Sequence, residues 1–160
     1  SMTGFVTALL YFAAAFAAAG ALFFGLKLLA AKIGPANEGV ARAAFGRLNG
    51  FRPGPVHAYL GSAIGYDPAS NAIAIWEKRG GARLVDPGGV SEWHAGMLLT
   101  QVLSRTTATL MIQLYSRADR RPFFKVGVLK ETDCAAWRDR LQAAFGGEKE
   151  RAADARILGV

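Results

Sequence analysis

The feature that most constrains this chain is an apolar N-terminal run. Residues 2–26 contain no Asp, Glu, Lys, Arg or His, so a helix formed there carries no charge on any face. At about 1.5 Å per residue this helix is about 37 Å long, whereas the hydrocarbon core of a bilayer is about 30 Å thick. We therefore predict a transmembrane helix over residues 4–29. A helix buried in a soluble core and a cleavable signal peptide are the two alternatives for the same run.

Charged residues begin directly after this run. The formal net charge is +7, and residues 27–52 hold five basic side chains against a single acid, Glu38. Basic flanks prefer the cytoplasmic side of a membrane. We therefore expect the N-terminus outside and the C-terminal domain in the cytoplasm, at the inner (plasma) membrane of a bacterium. The remainder of the chain is only mildly basic, which argues against nucleic acid as a partner.

Small residues recur at four-residue spacing within the apolar run. Such rows allow two helices to approach closely in lipid, although alanine is also common elsewhere in this segment. The row predicts self-association or packing against the helix of another membrane protein, and its members are Ala13, Ala17, Ala21 and Gly25.

A juxtamembrane connector is predicted over residues 34–55. Gly34 and Pro35 are expected to end the first helix, because proline disrupts a helix interior. Asn37 then resembles the N-cap of a short amphipathic helix over 38–48, which is followed by a stiff Pro-rich link. The apolar face of this short helix could lie on the membrane or on the domain, and we favour the domain.

The pattern becomes strand-like from residue 56, and we assign a domain to 56–146. Residues 96–105 suit a helix or a strand equally well. A closing helix is predicted over 131–145, followed by a flexible tail over 147–160. The strands expected from β-branched residues, alternation and turn signals are 56–64, 72–77, 82–85, 90–94, 106–115 and 122–129.

The domain resembles uncharacterised bacterial membrane proteins that carry pleckstrin-homology-like (PH-like) domains. The resemblance covers about residues 46–145 and rests on RLNGFRPGPVHAYLGSAIGYDPASNAIAIWE, VSEWHAG, TLMIQLYSRADRRPFFKVGVL and CAAWRDRLQAAF. It implies an α+β fold, in which a small antiparallel β-barrel or sandwich is closed by a C-terminal helix. It also implies an interaction or regulatory module, with no active site to carry over.

The residues themselves supply little chemistry. His57 and His94 lie on separate predicted strands without further ligands at metal-binding spacing, and we expect His94 to be half-exposed. Cys134 has no base or orienting group close to it in the sequence. We therefore predict no catalytic residue, metal or cofactor.

Basic side chains in two turns are the remaining candidates for a binding surface. Turns at one end of a PH-like barrel commonly meet acidic headgroups or peptides, whereas ordinary solvated turns have the same composition. The candidates for contact with a lipid or partner are Lys78, Arg79, Arg83, Arg117, Arg120, Arg121 and Lys125.

These features together predict a single-pass membrane protein. Its domain is expected to serve as a non-catalytic protein-interaction or scaffolding module, with other membrane proteins or a second copy as partners. One alternative is a sensor of anionic lipid that uses the basic turns. A second alternative is a small enzyme with a site near His57 and His94.

Overall fold

The computed structural model describes the backbone of residues 2–151 and 158–159, and the side chains of these residues except 30–36, 102 and 158–159. Its first element is one helix, α1, over Met2–Gly46. Within it, Met2–Leu29 is long and apolar enough to cross a membrane, and none of its most apolar window is buried inside the protein. This exposure contradicts the alternative of a helix buried in a soluble core, whereas the signal-peptide alternative stays open.

The predicted end of the first helix at Gly34 and Pro35 is wrong. The helix continues through both residues to Gly46, and the predicted short helix over 38–48 is its last part. An interior proline costs a helix about 3 kcal/mol. That cost is offset here because the last turns of α1 are buried against the domain, where Ala41 and Phe45 are fully buried. Asn37 is consequently a residue of the helix interior and not an N-cap.

The first antiparallel sheet, sheet one, follows α1. Its strands are β1 (Val56–Tyr59), β2 (Ser62–Asp67), β3 (Ala72–Glu77) and β4 (Gly81–Leu84), in the order β1-β2-β3-β4. The single strand predicted over 56–64 is therefore two strands, because the chain turns at Leu60 and Gly61 and pairs Tyr59 with Ser62.

The second sheet, sheet two, contains β5 (Glu92–Val102), β6 (Arg105–Tyr115) and β7 (Pro122–Val128), in antiparallel pairs. The ambiguous stretch 96–105 is thus strand up to Val102, and the short strand predicted over 90–94 is too short. A two-residue strand, β8 (Leu158–Gly159), runs parallel to β5. One turn of 3₁₀-helix over Pro87–Gly89 connects the two sheets.

The C-terminal helix α2 spans Glu131–Phe145, as predicted, and buries Cys134, Trp137, Leu141 and Phe145. The predicted flexible tail is wrong for residues 147–151, which are held on the domain. The amide of Arg151 donates to the carbonyl of Trp93 at 2.7 Å, and a 3₁₀ turn covers Gly147–Lys149. Residues 152–157 and 160 of that tail lie outside the described residues.

Two side-chain contacts show how the sheets cross. Arg83, Ile75, Ile64 and His57 form one row across sheet one, from β4 to β1. The guanidinium of Arg83 lies 5.6 Å from the Phe123 ring centre, and the His57 imidazole hydrogen-bonds the Gly127 carbonyl at 2.8 Å. Strand β7 therefore crosses sheet one nearly at right angles to its strands, from the β4 side to the β1 side.

Sheet one is covered on both faces. Ile64, Ile73 and Ile75 face sheet two and α2 in one apolar cluster. On the opposite face, Ala63, Ala74 and Trp76 contact the end of α1 in a second cluster. The fold is thus α+β with two antiparallel sheets and two helices. Of the two predicted forms, barrel or sandwich, a closed barrel is not found among the described residues, where no strand of one sheet pairs with a strand of the other.

Candidate functional site

The end of sheet one beside the entry of α1 is the first candidate surface. Two hairpin turns meet there, because the amide of Lys78 donates to the carbonyl of Gly61 at 2.9 Å. The Asn37 side chain on α1 donates to the carbonyl of Leu60 and holds the turns to the helix. Asn37 lies eight helical steps, about 12 Å, after Leu29. We name this surface, formed by Leu60, Gly61, Lys78 and Arg79, the anchor end.

Two of the predicted basic residues belong to the anchor end. Lys78 and Arg79 are exposed, and they line a shallow cavity of about 340 Å³ together with Gly61, Ser62 and Glu77. The ion pairs of the described residues are Arg42–Glu38, Arg138–Glu150 and Arg151–Glu92, so neither Lys78 nor Arg79 is in one. The anchor end therefore presents two positive charges to solvent, close to the end of the apolar span.

The other predicted basic residues lie elsewhere. Arg83 stacks on Phe123, which places it beside the turn between β6 and β7. That turn holds Arg117, Arg120 and Arg121, and its shape is fixed by Asp119, whose Oδ1 accepts the amide of Arg121 at 3.1 Å. Lys125 is exposed on β7, across from Gln113. The seven residues predicted as one kind of binding surface are consequently divided between separate places.

The small-residue row of α1 is exposed along its length. Ala13 and Ala17 line an apolar groove of about 590 Å³ with Leu9, Phe12 and Phe16. A methyl group added at Gly25 would meet no atom within 4 Å. No described part of the chain covers the row, and contact through Ala13, Ala17, Ala21 and Gly25 stays a prediction.

The two histidines have different surroundings. His57 is half-buried and bonded to the Gly127 carbonyl, which gives it a structural role at the sheet crossing. The expectation that His94 is half-exposed is wrong, since it is 5% exposed beneath Arg138. Its Nε2 has no hydrogen-bond partner among the described residues. Gly96 leaves the space that this imidazole occupies.

Asp67 is a buried carboxylate at the end of β2. Its two oxygens accept the amides of Arg52 at 3.0 Å and Ala69 at 2.9 Å. These bonds, that from Arg52 foremost, hold the pKa of Asp67 below its ordinary value of 3.8. The carboxylate thereby fastens the link after α1 to the turn between β2 and β3. Its signal in the sequence is the Asp67-Pro68 pair, which is typical of a turn closed by a side chain.

Cys134 is buried in the core, and burial raises the pKa of its thiol. A raised pKa keeps the sulfur protonated and unreactive at neutral pH. In the part of the chain that the structure describes, no three His, Cys, Asp or Glu side chains are grouped so as to hold a metal ion.

Comparison of the chain with family models, with curated proteins and with solved structures found no match. The assignment of a function consequently depends on the chain's own geometry.

Proposed function

We propose that this chain is a single-pass membrane protein whose domain is a non-catalytic module for binding other membrane proteins. The observation that carries the proposal is the continuity of α1. Its first 28 residues are apolar and uncovered, and its last turns are buried in the domain. A binding surface on this domain would be held at a fixed height above the bilayer, since α1 runs as one helix from the span into the domain.

The proposal also includes the fold of the domain, its side of the membrane and a contact face on α1. Seven consecutive strands in two crossed antiparallel sheets, followed by a helix, support a PH-like fold. The basic side chains after the span support a cytoplasmic domain at a bacterial inner membrane. The exposed groove at Ala13 and Ala17 supports contact with a helix of a partner or of a second copy.

Co-purification tests the proposed function. The full-length chain and a chain shortened to residues 1–36 are extracted from membranes in mild detergent after cross-linking. We expect both chains to resist alkaline extraction, and we expect the full-length chain to retain membrane proteins that the shortened chain does not. Release of the full-length chain at alkaline pH would contradict the membrane span, and identical sets of captured proteins would contradict a binding role for the domain.

A second candidate function is binding of anionic lipid at the anchor end. It is favoured by the position of Lys78 and Arg79, whose charges have no ion-pair partner among the described residues. Their turn is bonded to the neighbouring turn, which Asn37 holds to α1 about 12 Å of helix after Leu29. A basic side chain near an anionic leaflet contributes about 1 kcal/mol, so the pair contributes about 2 kcal/mol.

Charge reversal at the anchor end tests the lipid candidate. We expect amide exchange at residues 78–80 to slow when nanodiscs of neutral lipid are replaced by nanodiscs containing anionic lipid. The double variant Lys78→Glu and Arg79→Glu should lose this protection. The matched control Arg117→Glu and Arg120→Glu makes the same charge change in the turn between β6 and β7 and should keep it. Equal exchange in both lipids would exclude the candidate.

A further inference from the structure

Two leucines occupy backbone positions that disfavour leucine. Leu60 has φ 52° and Leu103 has φ 59°, and each is the first residue of a two-residue hairpin turn. Turn positions with positive φ usually hold Gly, Asn or Asp, as Asn71 with φ 53° does in the connection between β2 and β3. A bulky side chain at positive φ is a true outlier, and outliers of this kind concentrate at functional positions.

Both leucines are also turned toward solvent. Leu60 is 60% exposed and Leu103 is 94% exposed. The chain thus places a large apolar side chain at the tip of each of two hairpins. Glycine or asparagine would be less strained there at positive φ and would be better solvated. Packing and turn geometry within the chain do not explain the choice, whereas an apolar environment outside the domain explains it.

Both tips lie toward the β1 edge of the domain, which we call the β1 corner. Strand β7 ends at Val128, opposite Leu110, so the β5–β6 hairpin continues beyond β7 for seven residues, about 23 Å, to Leu103, and only the two-residue β8 pairs with it there among the described residues. It leaves the domain beside Tyr59, whose ring lies against Gly127 and which directly precedes Leu60. Because β6 runs antiparallel to β7, the hairpin projects past β1, the strand at the edge of sheet one.

The composition of this hairpin suits the surface of a membrane. Residues 95–116 contain no Asp or Glu and a single basic side chain, Arg105. Two further exposed apolar side chains lie where the projecting part begins, Met97 opposite Leu110 and Leu129 directly after β7. Acidic groups would be repelled by an anionic leaflet, and apolar tips gain free energy by leaving water.

We propose that Leu60 and Leu103 insert into the interfacial layer of the same bilayer that α1 spans, and that they hold the β1 corner of the domain against it. The inference rests on the proposed membrane span. The apolar segment Met2–Leu29 is about 42 Å long as a helix, and an excess over the hydrocarbon thickness is accommodated by tilt. Tilt brings one side of the domain closer to the headgroups. That side is the β1 corner, because the two leucines there gain free energy by insertion.

Fluorescent labels at single cysteines test the insertion directly. Leu60→Cys, Leu103→Cys and Ala69→Cys are each made on a Cys134→Ala background of the full-length chain, and an environment-sensitive dye is attached in nanodiscs. Ala69 is the control, because it is exposed in the turn at the opposite end of sheet one. We expect blue-shifted emission at positions 60 and 103 and several-fold stronger quenching by nitroxide lipids than at 69. Emission at either leucine position equal to that at 69 overturns the proposal.

A second measurement uses the chain with Cys134 intact. It distinguishes membrane insertion from a structural role of Leu103, because the two roles predict opposite changes of stability in detergent. Leu103→Asn relieves the backbone and removes an exposed apolar side chain, so the full-length chain in detergent should unfold at the same or a higher urea concentration. In nanodiscs the same variant should show several-fold faster amide exchange over residues 101–106 than the unaltered chain. A loss of stability in detergent would show that Leu103 serves the fold and would overturn the proposal. Alkaline release of the unaltered chain would instead contradict the membrane span itself.

Discussion

Replacing Phe45 with alanine is expected to destabilise the domain by about 3–5 kcal/mol, the usual cost of removing a fully buried phenylalanine ring. Phe45 is 0% exposed, and its ring lies over Gly65, where an added methyl group would come within 2.9 Å of it. The ring also meets Phe51 edge to face at 5.9 Å between ring centres. Its loss leaves a cavity between α1 and sheet one that the backbone cannot close.

Urea unfolding of the full-length chain in detergent, followed by tryptophan fluorescence, measures this effect. Val40→Ala is the matched control, because Val40 lies on the same part of α1 and is 54% exposed. We expect the control to change the free energy of unfolding by less than about 1 kcal/mol. Equal and small effects of the two substitutions would mean that α1 is a tether and not a layer of the domain, and would remove the main support for the proposed function.

The same contact explains which part of α1 could be predicted. The apolar face with Ala41 and Phe45 follows from helical spacing, and its burial on the domain is confirmed. The predicted end of the helix is wrong, because the rule that Gly34 and Pro35 stop a helix considers only the local backbone. The free energy that carries the helix through them comes from contacts with Ala63 and Ala74, which lie far away in the sequence.

Sheet one shows a second limit of the sequence pattern. Alternation along residues 72–77 predicts an apolar face with Ile73 and Ile75 and a second face of small or polar residues, and the first of these is confirmed. Ala74 and Gly65 are instead buried, because a helix can approach a sheet closely only where side chains are small. Small residues are therefore ambiguous in a single sequence, since they suit an exposed face and a covered one equally.

The candidate surfaces were predictable only as a set of residues. Turn composition identified Lys78 and Arg79 as well as Arg117 and Arg120, but the spatial separation of the two pairs depends on how the sheets cross. That crossing is fixed by long-range contacts, from Arg83 to Phe123 and from His57 to Gly127, which no local pattern contains. The positive φ of Leu60 and Leu103 was equally hidden, because leucine is not a residue that signals such a turn.

Substitution of Trp93 is expected to have the second large effect on the free energy of unfolding. Trp93→Ala is expected to cost about 3–5 kcal/mol, since the side chain is 0% exposed in the core. It also removes a hydrogen bond, because the indole nitrogen donates to the carbonyl of Gly146 at 2.9 Å, directly after α2. The indole thus joins β5 to the end of the closing helix, in addition to filling space between the sheets.

Trp93→Phe separates these two contributions. Phenylalanine keeps most of the apolar ring and loses only the donor, so we expect a cost of about 1–3 kcal/mol for the unpaired carbonyl and the smaller ring. Residues 147–151 begin directly after Gly146, and the amide of Arg151 bonds to the backbone of Trp93. Amide exchange in this segment should therefore accelerate in Trp93→Ala more than in Trp93→Phe. If both variants left the exchange of 147–151 unchanged while urea unfolding shifted as expected, the indole would stabilise the core without positioning the C-terminal segment.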